Sequence, residues 1–147
     1  YNTIHQLNTT ELVGETDMGV SASQYVKMIK SKSYIIVLSD FLQPIDSIKE
    51  GIHRLARKSI DLTLLQVLDP WELDLGWRMD VKFQDMETGD KKRAYLSPGF
   101  KKSYRENILD HISKVKGVCN DFGVEFITVD TRLPLIEVFT QLMGGYR

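Results

Sequence analysis

Two apolar patterns alternate along this chain of 147 residues. One is a nearly continuous apolar run, which is typical of a parallel strand covered on both faces. Such runs occur at residues 34–38, 62–68 and 124–129. The other is an apolar residue at every third or fourth position, which predicts an amphipathic helix. This spacing occurs at residues 18–29, 45–55, 108–122 and 135–142.

The alternation of these patterns predicts the fold class. Strand, helix and strand follow one another with short joints, so we expect βαβ units with parallel strands and right-handed crossovers. Helices on both faces of such a sheet make a three-layer αβα arrangement. The sequence therefore predicts an α/β domain built on a mainly parallel sheet.

Residues 78–97 interrupt this rhythm. Apolar and polar residues alternate on both sides of Gly89, a pattern that predicts a β-hairpin with a glycine in its turn. We interpret the hairpin as an insertion in the α/β domain. Residues 1–15 are polar and without a strong period, which predicts an arm and leaves 16–147 as a single domain.

Local signals predict where several helices begin. Thr16 or Asp17 can cap the first predicted helix of the domain, because each has a side-chain oxygen for the amides of the first turn. Pro44 suits the first position of the next helix. Ser103 and Glu106 have the spacing of a capping box, which predicts a helix that begins there.

Composition and charge narrow the function classes. Hydrophobic residues make up 42% and charged residues 27% of the chain, and the net charge is −1. This balance is typical of a globular domain and gives no electrostatic reason to expect nucleic acid or an anionic membrane as partner. The longest apolar run is far from the roughly 20 residues of a membrane span, and no signal peptide is visible.

A single cysteine, Cys119, occurs in the chain and cannot form an internal disulfide. A chain without a disulfide is typical of a reducing compartment, so we expect a cytoplasmic location. Cys119 lies among apolar residues of a helical pattern, and we interpret it as a small core residue rather than a reactive thiol.

An aspartate stands at the end of each predicted core strand. These are Asp40, Asp69 and Asp130, and Ser39 directly precedes the first of them. Ligands of open parallel sheets bind at the carboxyl ends of strands, so these four residues are candidate ligand-binding groups. A structural role is the alternative, since aspartate at a strand-to-helix joint often forms a turn or caps a helix.

Three functions remain open on these residues. The first is a binding or scaffolding module. The second is a metal-dependent hydrolase or nuclease that uses Asp40, Asp69 and Asp130 as clustered carboxylates, although neighbouring strands lie about 4.8 Å apart. The third is a phospho-acceptor signalling domain, for which an acidic pair before residue 34 and a lysine after the last strand are missing. No phosphate-binding glycine loop, Gly-x-Ser-x-Gly elbow or Cys/His metal signature is present.

The segment Gly14-Glu-Thr16-Asp-Met-Gly19, followed by a helix and by Ile35-Ile-Val-Leu-Ser39-Asp40-Phe, resembles the second half of a von Willebrand factor A-like domain. In that family a threonine before a helix and an aspartate after the fourth strand help to bind a divalent cation at the metal-ion-dependent adhesion site. The resemblance implies that Thr16 and Asp40 are metal ligands and that Mg²⁺ is the cofactor of the intact site.

The rest of the chain resembles the bacterial family called domain of unknown function 58. The resemblance spans residues 14–147. The residues that carry it in the middle of the chain are Asp69-Pro-Trp-Glu72, Gly76 and Asp85-Met-Glu87-Thr88-Gly89. Those in the tail are Tyr104, His111, Cys119, Gly123, Thr131, Pro134, Leu135, Leu142 and Arg147.

The family's metal site begins with Asp-x-Ser-x-Ser after its first strand, and this motif is missing here. The resemblance therefore implies the C-terminal half of a doubly wound domain, with three of six strands and an incomplete site. Two protein ligands bind Mg²⁺ weakly, because the ion requires six oxygens. A carboxylate from a partner protein would complete the shell.

The resemblance also implies partners. Relatives often stand beside a MoxR-type AAA+ ATPase and carry membrane-anchoring helices ahead of this domain, and no catalytic residues carry over, so we expect no enzyme activity. In the family's strand order, Tyr34–Leu38 would pair with the missing first strand. Here it is expected to be an edge strand that forms a homodimer or is covered by residues 1–15.

Overall fold

The computed structural model describes residues 2–10, 16–76, 80–84 and 91–144. Helices and strands alternate through these ranges. In chain order they are α1 (Asn2–Thr9), α2 (Met18–Met28), β1 (Ser33–Ser39), α3 (Ile45–Ala56), β2 (Ser59–Leu68), α4 (Pro70–Asp74), β3 (Asp80–Gln84), β4 (Lys91–Tyr95), α5 (Pro98–Asp121), β5 (Glu125–Asp130) and α6 (Leu135–Gly144).

The main sheet is parallel and has the order β1-β2-β5. Ile35 of β1 lies opposite Leu62 of β2, and Leu64 of β2 lies opposite Phe126 of β5. The three predicted apolar runs therefore form one sheet in chain order, and the predicted α/β class is confirmed. Because all three strands are parallel, their carboxyl ends meet at one edge.

Helices pack on both faces of this sheet. Alternate residues of a strand point to opposite faces, so Leu64 and Leu65 of β2 belong to different layers. The helices α2, α3 and α5 cover the first face, and α6 covers part of the second. The buried core of the first face contains Met18, Ala22, Ile35, Phe41, Ile48, Ile52, Leu55, Leu62, Leu64, Val115, Cys119 and Val124. That of the second contains Leu65, Val129, Val138 and Leu142.

The expectation that β1 is covered on both faces is wrong. Ile35 is buried in the core of the first face, but Tyr34, Ile36 and Leu38 are 69%, 51% and 65% exposed. Only β2, with a strand on each side, is buried on both faces along most of its length. A continuous apolar run does not distinguish a central strand from an edge strand, because both carry apolar residues on each face.

The predicted hairpin is present. The strands β3 and β4 are antiparallel, with Asp80 opposite Tyr95, and they form a two-stranded sheet separate from the main one. The glycine turn predicted at Gly89 lies outside the described residues, and so does Trp77.

The helix predicted to start at Ser103 begins earlier. The hydroxyl of Ser97 accepts a hydrogen bond from Phe100 N at 3.1 Å, Pro98 occupies the first turn, and Ser103 lies inside the helix. A capping residue followed directly by proline determined the start, because the proline fixes a helical φ and needs no amide partner. This helix, α5, is long but polar, and no helix within the described ranges is both long and apolar enough to cross a membrane.

The last helix, α6, buries only part of its apolar stripe. Val138 and Leu142 pack on the sheet, whereas Leu135 and Phe139 are mostly exposed. Pro134 precedes the helix, and its carbonyl accepts from Val138 N. Among the described residues no helix or strand packs on the outward side of α6, so Leu135 and Phe139 face solvent.

The arm predicted at the start of the chain contains the helix α1. Thr10 Oγ1 donates to the carbonyl of Gln6 at 2.7 Å at its end, and Ile4 is exposed. Because the outward side chains of β1 are also exposed, α1 does not cover them. The predicted coverage of the edge by the arm is therefore not seen in the described part, and residues 11–15 lie outside it.

Candidate functional site

The three aspartates predicted at strand ends do lie at one edge of the sheet. Asp40 follows β1, Asp69 follows β2, and Asp130 is the last residue of β5. Leu68 and Asp130 are paired across β2 and β5, which aligns the last two strand ends. The carboxyl edge of the sheet is thus acidic, as the sequence predicts, and the question is what each carboxylate does there.

Residues 39–42 form a compact corner that we call the Asp40 turn. Ser39 Oγ accepts a hydrogen bond from Phe41 N at 3.1 Å, and Asp40 Oδ1 accepts from Leu42 N at 3.2 Å. The Ser39 hydroxyl also donates to Asp40 Oδ1 at 3.3 Å. These bonds are the turn-forming role of serine and aspartate. Within the described residues the side-chain hydrogen bonds of Asp40 use Oδ1, so Oδ2 can accept from an outside ligand.

Phe41 holds the turn by an unusual combination of backbone and burial. Its φ is 52°, in the left-handed region, and its side chain is fully buried. The backbone conformation costs about 1–2 kcal/mol for a residue with a Cβ. Burial of a phenylalanine contributes roughly 1.5–3 kcal/mol, which offsets that cost. The ring also meets Phe126 edge-on, with centroids 6.3 Å apart.

Two side chains outside the turn fix its carbonyl groups. Gln66 Nε2 donates to the carbonyl of Asp40 at 2.7 Å, and Thr128 Oγ1 donates to Gln66 Oε1 at 3.2 Å. The ring of His111 on α5 bonds the carbonyl of Phe41 at 2.7 Å through Nε2, which therefore carries the proton.

Sequence reasoning missed both of these supports. Gln66 could have been recognised in the sequence as the single amide inside an apolar run. An amide that is fully buried in such a strand needs hydrogen-bond partners. His111 carries no such signal, because it lies 70 residues after Phe41 and only the tertiary structure brings it to the turn.

The start of α2, directly after Thr16 and Asp17, lies against the residues that follow the Asp40 turn. Met18 N donates to Gln43 Oε1 at 2.7 Å, and Gly19 N donates to Ser47 Oγ at 3.2 Å. Gln43 lies in the loop between β1 and α3, and Ser47 lies in the first turn of α3. The resemblance requires Thr16 and Asp40 to share a cation, and these two bonds bring together the residues that follow each of them.

Asp17, rather than Thr16, caps α2. Its Oδ1 accepts from Val20 N at 2.7 Å. This bond and one with the Ser47 hydroxyl hold the pKa of Asp17 below its usual value. Thr16 precedes the cap and is exposed.

Asp69 has a local structural role. Its Oδ1 accepts from Trp71 N at 2.8 Å, and Glu72 Oε2 accepts from Asp69 N at 2.8 Å, which is a capping box for α4. Thr131 Oγ1 donates to Asp69 Oδ2 at 3.0 Å and so connects the ends of β2 and β5. Both carboxylate oxygens of Asp69 are engaged.

Asp130 is paired with Arg132. Asp130 Oδ1 accepts from Arg132 N at 2.8 Å and from Arg132 Nε at 3.0 Å. The hydrogen bonds of the guanidinium hold the pKa of Asp130 below its usual value. The charge of Asp69 adds to the stabilisation of the Arg132 cation. The carboxylate of Asp130 is thus engaged by the cation of Arg132.

No three His, Cys, Asp or Glu side chains gather to hold a metal ion in the part of the chain that the structure describes. The oxygen donors that the resemblance implies are the hydroxyl of Thr16 and the carboxylate of Asp40. This pair fits the chemistry of Mg²⁺, which prefers oxygen ligands and retains water, but it supplies two of the six positions. On the resemblance alone, these two residues would make part of a site.

A groove of about 420 Å³ runs along the outer side of β1. Residues 34–38 form one wall, and Met18, Ala22 and Tyr25 of α2 form the other. The lining is mostly apolar, and half of the Tyr25 side chain is exposed. Among the described residues β1 pairs with β2 alone, so its outer edge carries backbone groups that face this groove.

No protein-family model, curated protein or solved structure matches this chain. What the chain does must therefore be argued from its surfaces. The carboxyl edge offers a preformed turn at Asp40 and two engaged carboxylates. The outer edge of β1 offers an apolar groove beside unpaired backbone.

Proposed function

We propose that this chain is a protein-interaction and scaffolding module of the von Willebrand factor A-like type that binds a β-strand along the outer edge of β1. In the isolated chain a second copy supplies that strand, and in its biological setting the module works with a MoxR-type AAA+ ATPase. The observation that carries the proposal is the apolar groove beside β1.

The backbone of β1 supports strand addition. A strand with one paired edge presents amide and carbonyl groups on the other edge, which serve as a template for a further strand. Proteins usually protect such an edge with lysine, proline or a bulge. The sequence of β1, Ser33-Tyr-Ile-Ile-Val-Leu-Ser39, contains neither charge nor proline.

The side chains of β1 add a hydrophobic contribution. Ile36 is 51% exposed and Leu38 is 65% exposed on the second face of the sheet. Covering these two side chains would contribute roughly 2–3 kcal/mol, since full burial of an aliphatic side chain contributes about 1.5–3 kcal/mol. An alternating apolar strand fits this edge, because it places one set of side chains against α2 and the other beside Ile36.

The order of the sheet agrees with the proposed family. In that family the strand equivalent to β1 pairs on its other side with the first strand of the domain. The parallel order β1-β2-β5 leaves that position open within the described residues. A second copy related by a two-fold axis perpendicular to the sheet would fill it with an antiparallel β1 and make one continuous sheet.

The Asp40 turn extends the proposal to the metal. It stands at the carboxyl end of β1, so one end of a strand bound along β1 lies beside it. Thr16 and Asp40 would supply two oxygens to Mg²⁺, and waters and a partner carboxylate would supply the rest. In this arrangement the ion strengthens a protein contact and performs no reaction.

The alternative hydrolase or nuclease has weaker support. It requires free carboxylates from Asp40, Asp69 and Asp130 around one ion. Asp69 caps α4 and bonds Thr131, and Asp130 is bonded to Arg132. Two of the three carboxylates would have to give up these partners first.

The strand-binding claim is tested by substitution of Ile36→Lys and sedimentation equilibrium. The unaltered chain is expected to shift from 16.9 kDa toward twice that mass as its concentration rises. The lysine variant should remain at the lower mass, because a charge on an edge strand opposes pairing.

Leu109→Lys is the matched control, since Leu109 is 50% exposed on α5, away from the groove. This variant should associate like the unaltered chain. An unaltered chain that stays monomeric over the whole concentration range contradicts the proposal, and so does equal loss of association in the two variants.

The partnership with the ATPase is a separate claim with a separate test. We expect the chain to bind a purified MoxR-type ATPase from the same organism in surface plasmon resonance, with a weaker signal when Asp40→Ala is used. A chain that gives no signal would remove the ATPase from the proposal and leave strand binding to stand on the sedimentation result.

A further inference from the structure

A second groove lies at the opposite end of the sheet from the Asp40 turn. It has a volume of about 630 Å³ and lies where α2 and α3 end and where β1 and β2 begin. The residues that line it are Val26, Lys30, Ser31, Lys32, Glu50, His53, Arg54, Arg57 and Lys58. We call it the basic groove.

The charges of the basic groove are strongly unbalanced. Lysine and arginine supply five cationic side chains of its lining, and Glu50 supplies its single carboxylate. Glu50 is engaged by Arg54 on the same helix, whose Nε donates to Glu50 Oε1 at 3.1 Å. The whole chain carries a net charge of −1, so the excess of cations belongs to this groove rather than to the protein in general.

The helix ends explain only part of this charge. Lysine and arginine are favourable at helix C-termini because the helix dipole places about half a negative charge there. Two helices end at the groove, so about one cation would compensate both. The lining has an excess of four cations over carboxylates, and the surplus remains positive after the dipoles are counted.

The cations at one wall are presented by a fixed joint. Ser33 N donates to the carbonyl of Lys58 at 3.2 Å, which ties the start of β1 to the joint between α3 and β2. Ser59 Oγ donates to the carbonyl of Ala56 at 3.1 Å in the same joint. Arg57 and Lys58 therefore project from a backbone that is already ordered, which reduces the entropy lost when a ligand binds.

The shape and chemistry of the groove select among anions. Its charged side chains are exposed or half-buried, so it is not an enclosed pocket for a single phosphate. No tryptophan, tyrosine or phenylalanine is among the described residues that line it, and the ring of His53 already packs against Phe122, so the groove lacks the stacking platform of sites for single-stranded nucleic acid. Its concave form fits a chain segment better than a flat bilayer.

We propose that the basic groove binds an acidic peptide segment of a partner protein. Carboxylates along an extended segment would meet Lys30 and Lys32 on one wall and Arg57 and Lys58 on the other. The groove lies at the amino edge of the sheet, so this inference does not depend on strand binding at β1. Because the cations are exposed, binding weakens as salt is added.

The test is fluorescence anisotropy with a fluorescein-labelled peptide of alternating glutamate and aspartate. The unaltered chain should bind it at low salt, and the double variant Arg57→Glu, Lys58→Glu should bind about tenfold more weakly, because two attractive contacts become repulsive. A second double variant, Lys30→Gln, Lys32→Gln, removes two charges from the other wall without reversing them. It should weaken binding as well.

The control is Lys102→Glu, Lys114→Glu on α5, which has the same net charge as the first double variant and leaves the groove unchanged. It should bind within about twofold of the unaltered chain. Equal loss in the control, no binding by the unaltered chain, or unchanged binding by both groove variants overturns the inference. Tighter binding to single-stranded RNA or to phosphatidylserine vesicles than to the peptide also overturns it.

Discussion

The Asp40 turn shows how much of a site can depend on groups outside it. Its four residues bond one another locally, which aspartate and serine after a strand predict. Its carbonyl groups depend on Gln66 and His111, which are distant in sequence. The sequence therefore predicts that a turn is present, but not the buried amide and the imidazole that fix it, because those contacts form only after the sheet and α5 have packed.

Asp17 is expected to make the stability of the protein depend on pH in acid. The hydrogen bond from Val20 N lowers the pKa of Asp17 below its ordinary value in the folded state, so the folded state holds the proton less tightly than the unfolded chain does. The stabilisation is complete above the unfolded pKa and is lost as pH falls through the folded pKa.

Asp17→Asn removes this titration while retaining a good helix cap. In urea unfolding, the variant should match the unaltered chain near neutral pH and lose less stability between pH about 5 and pH about 2. Some acid sensitivity should persist, because Asp130 also has a lowered pKa. Parallel pH profiles for the two proteins would disprove the role of Asp17.

At the scale of elements, the strands and the helices α2, α3, α5 and α6 were predictable, although their ends were less so, and the short helices α1 and α4 were not predicted. The alternation of apolar runs and helical spacing identified β1, β2, β5 and the hairpin. The start of α5 was misplaced because Ser103 and Glu106 have the spacing of a capping box inside the helix, while the capping residue is Ser97. The spacing of a capping box is short enough to occur by chance inside a helix. The proline that directly follows Ser97 is the signal that distinguishes the residue at the helix start.

The two serines give a direct test of where α5 begins. Ser97→Ala should lower the free energy of unfolding by about 1 kcal/mol, because it removes the acceptor for Phe100 N. Ser103→Ala should leave it unchanged or raise it by up to about 0.5 kcal/mol, since alanine is the better residue inside a helix. Thermal unfolding followed by circular dichroism distinguishes the two, and a larger loss at Ser103 would reverse the assignment.

At the scale of the molecule, the sheet is unequally covered. The first face has three helices and a large core, whereas α6 covers only the β2–β5 part of the second face. Apolar runs alone could not predict this, because Tyr34, Ile36 and Leu38 are as apolar as the residues of a central strand. The order of the sheet places β1 at an edge within the described residues.

The most direct measurement is hydrogen–deuterium exchange of the β1 amides at low and high protein concentration. Strand binding predicts that amides of residues 34–38 that do not pair with β2 become protected as concentration rises, while β5 is unaffected. In Ile36→Lys that gain of protection should disappear. Rapid exchange of these amides at every concentration, in a protein that remains monomeric, would contradict the proposal that β1 binds another strand.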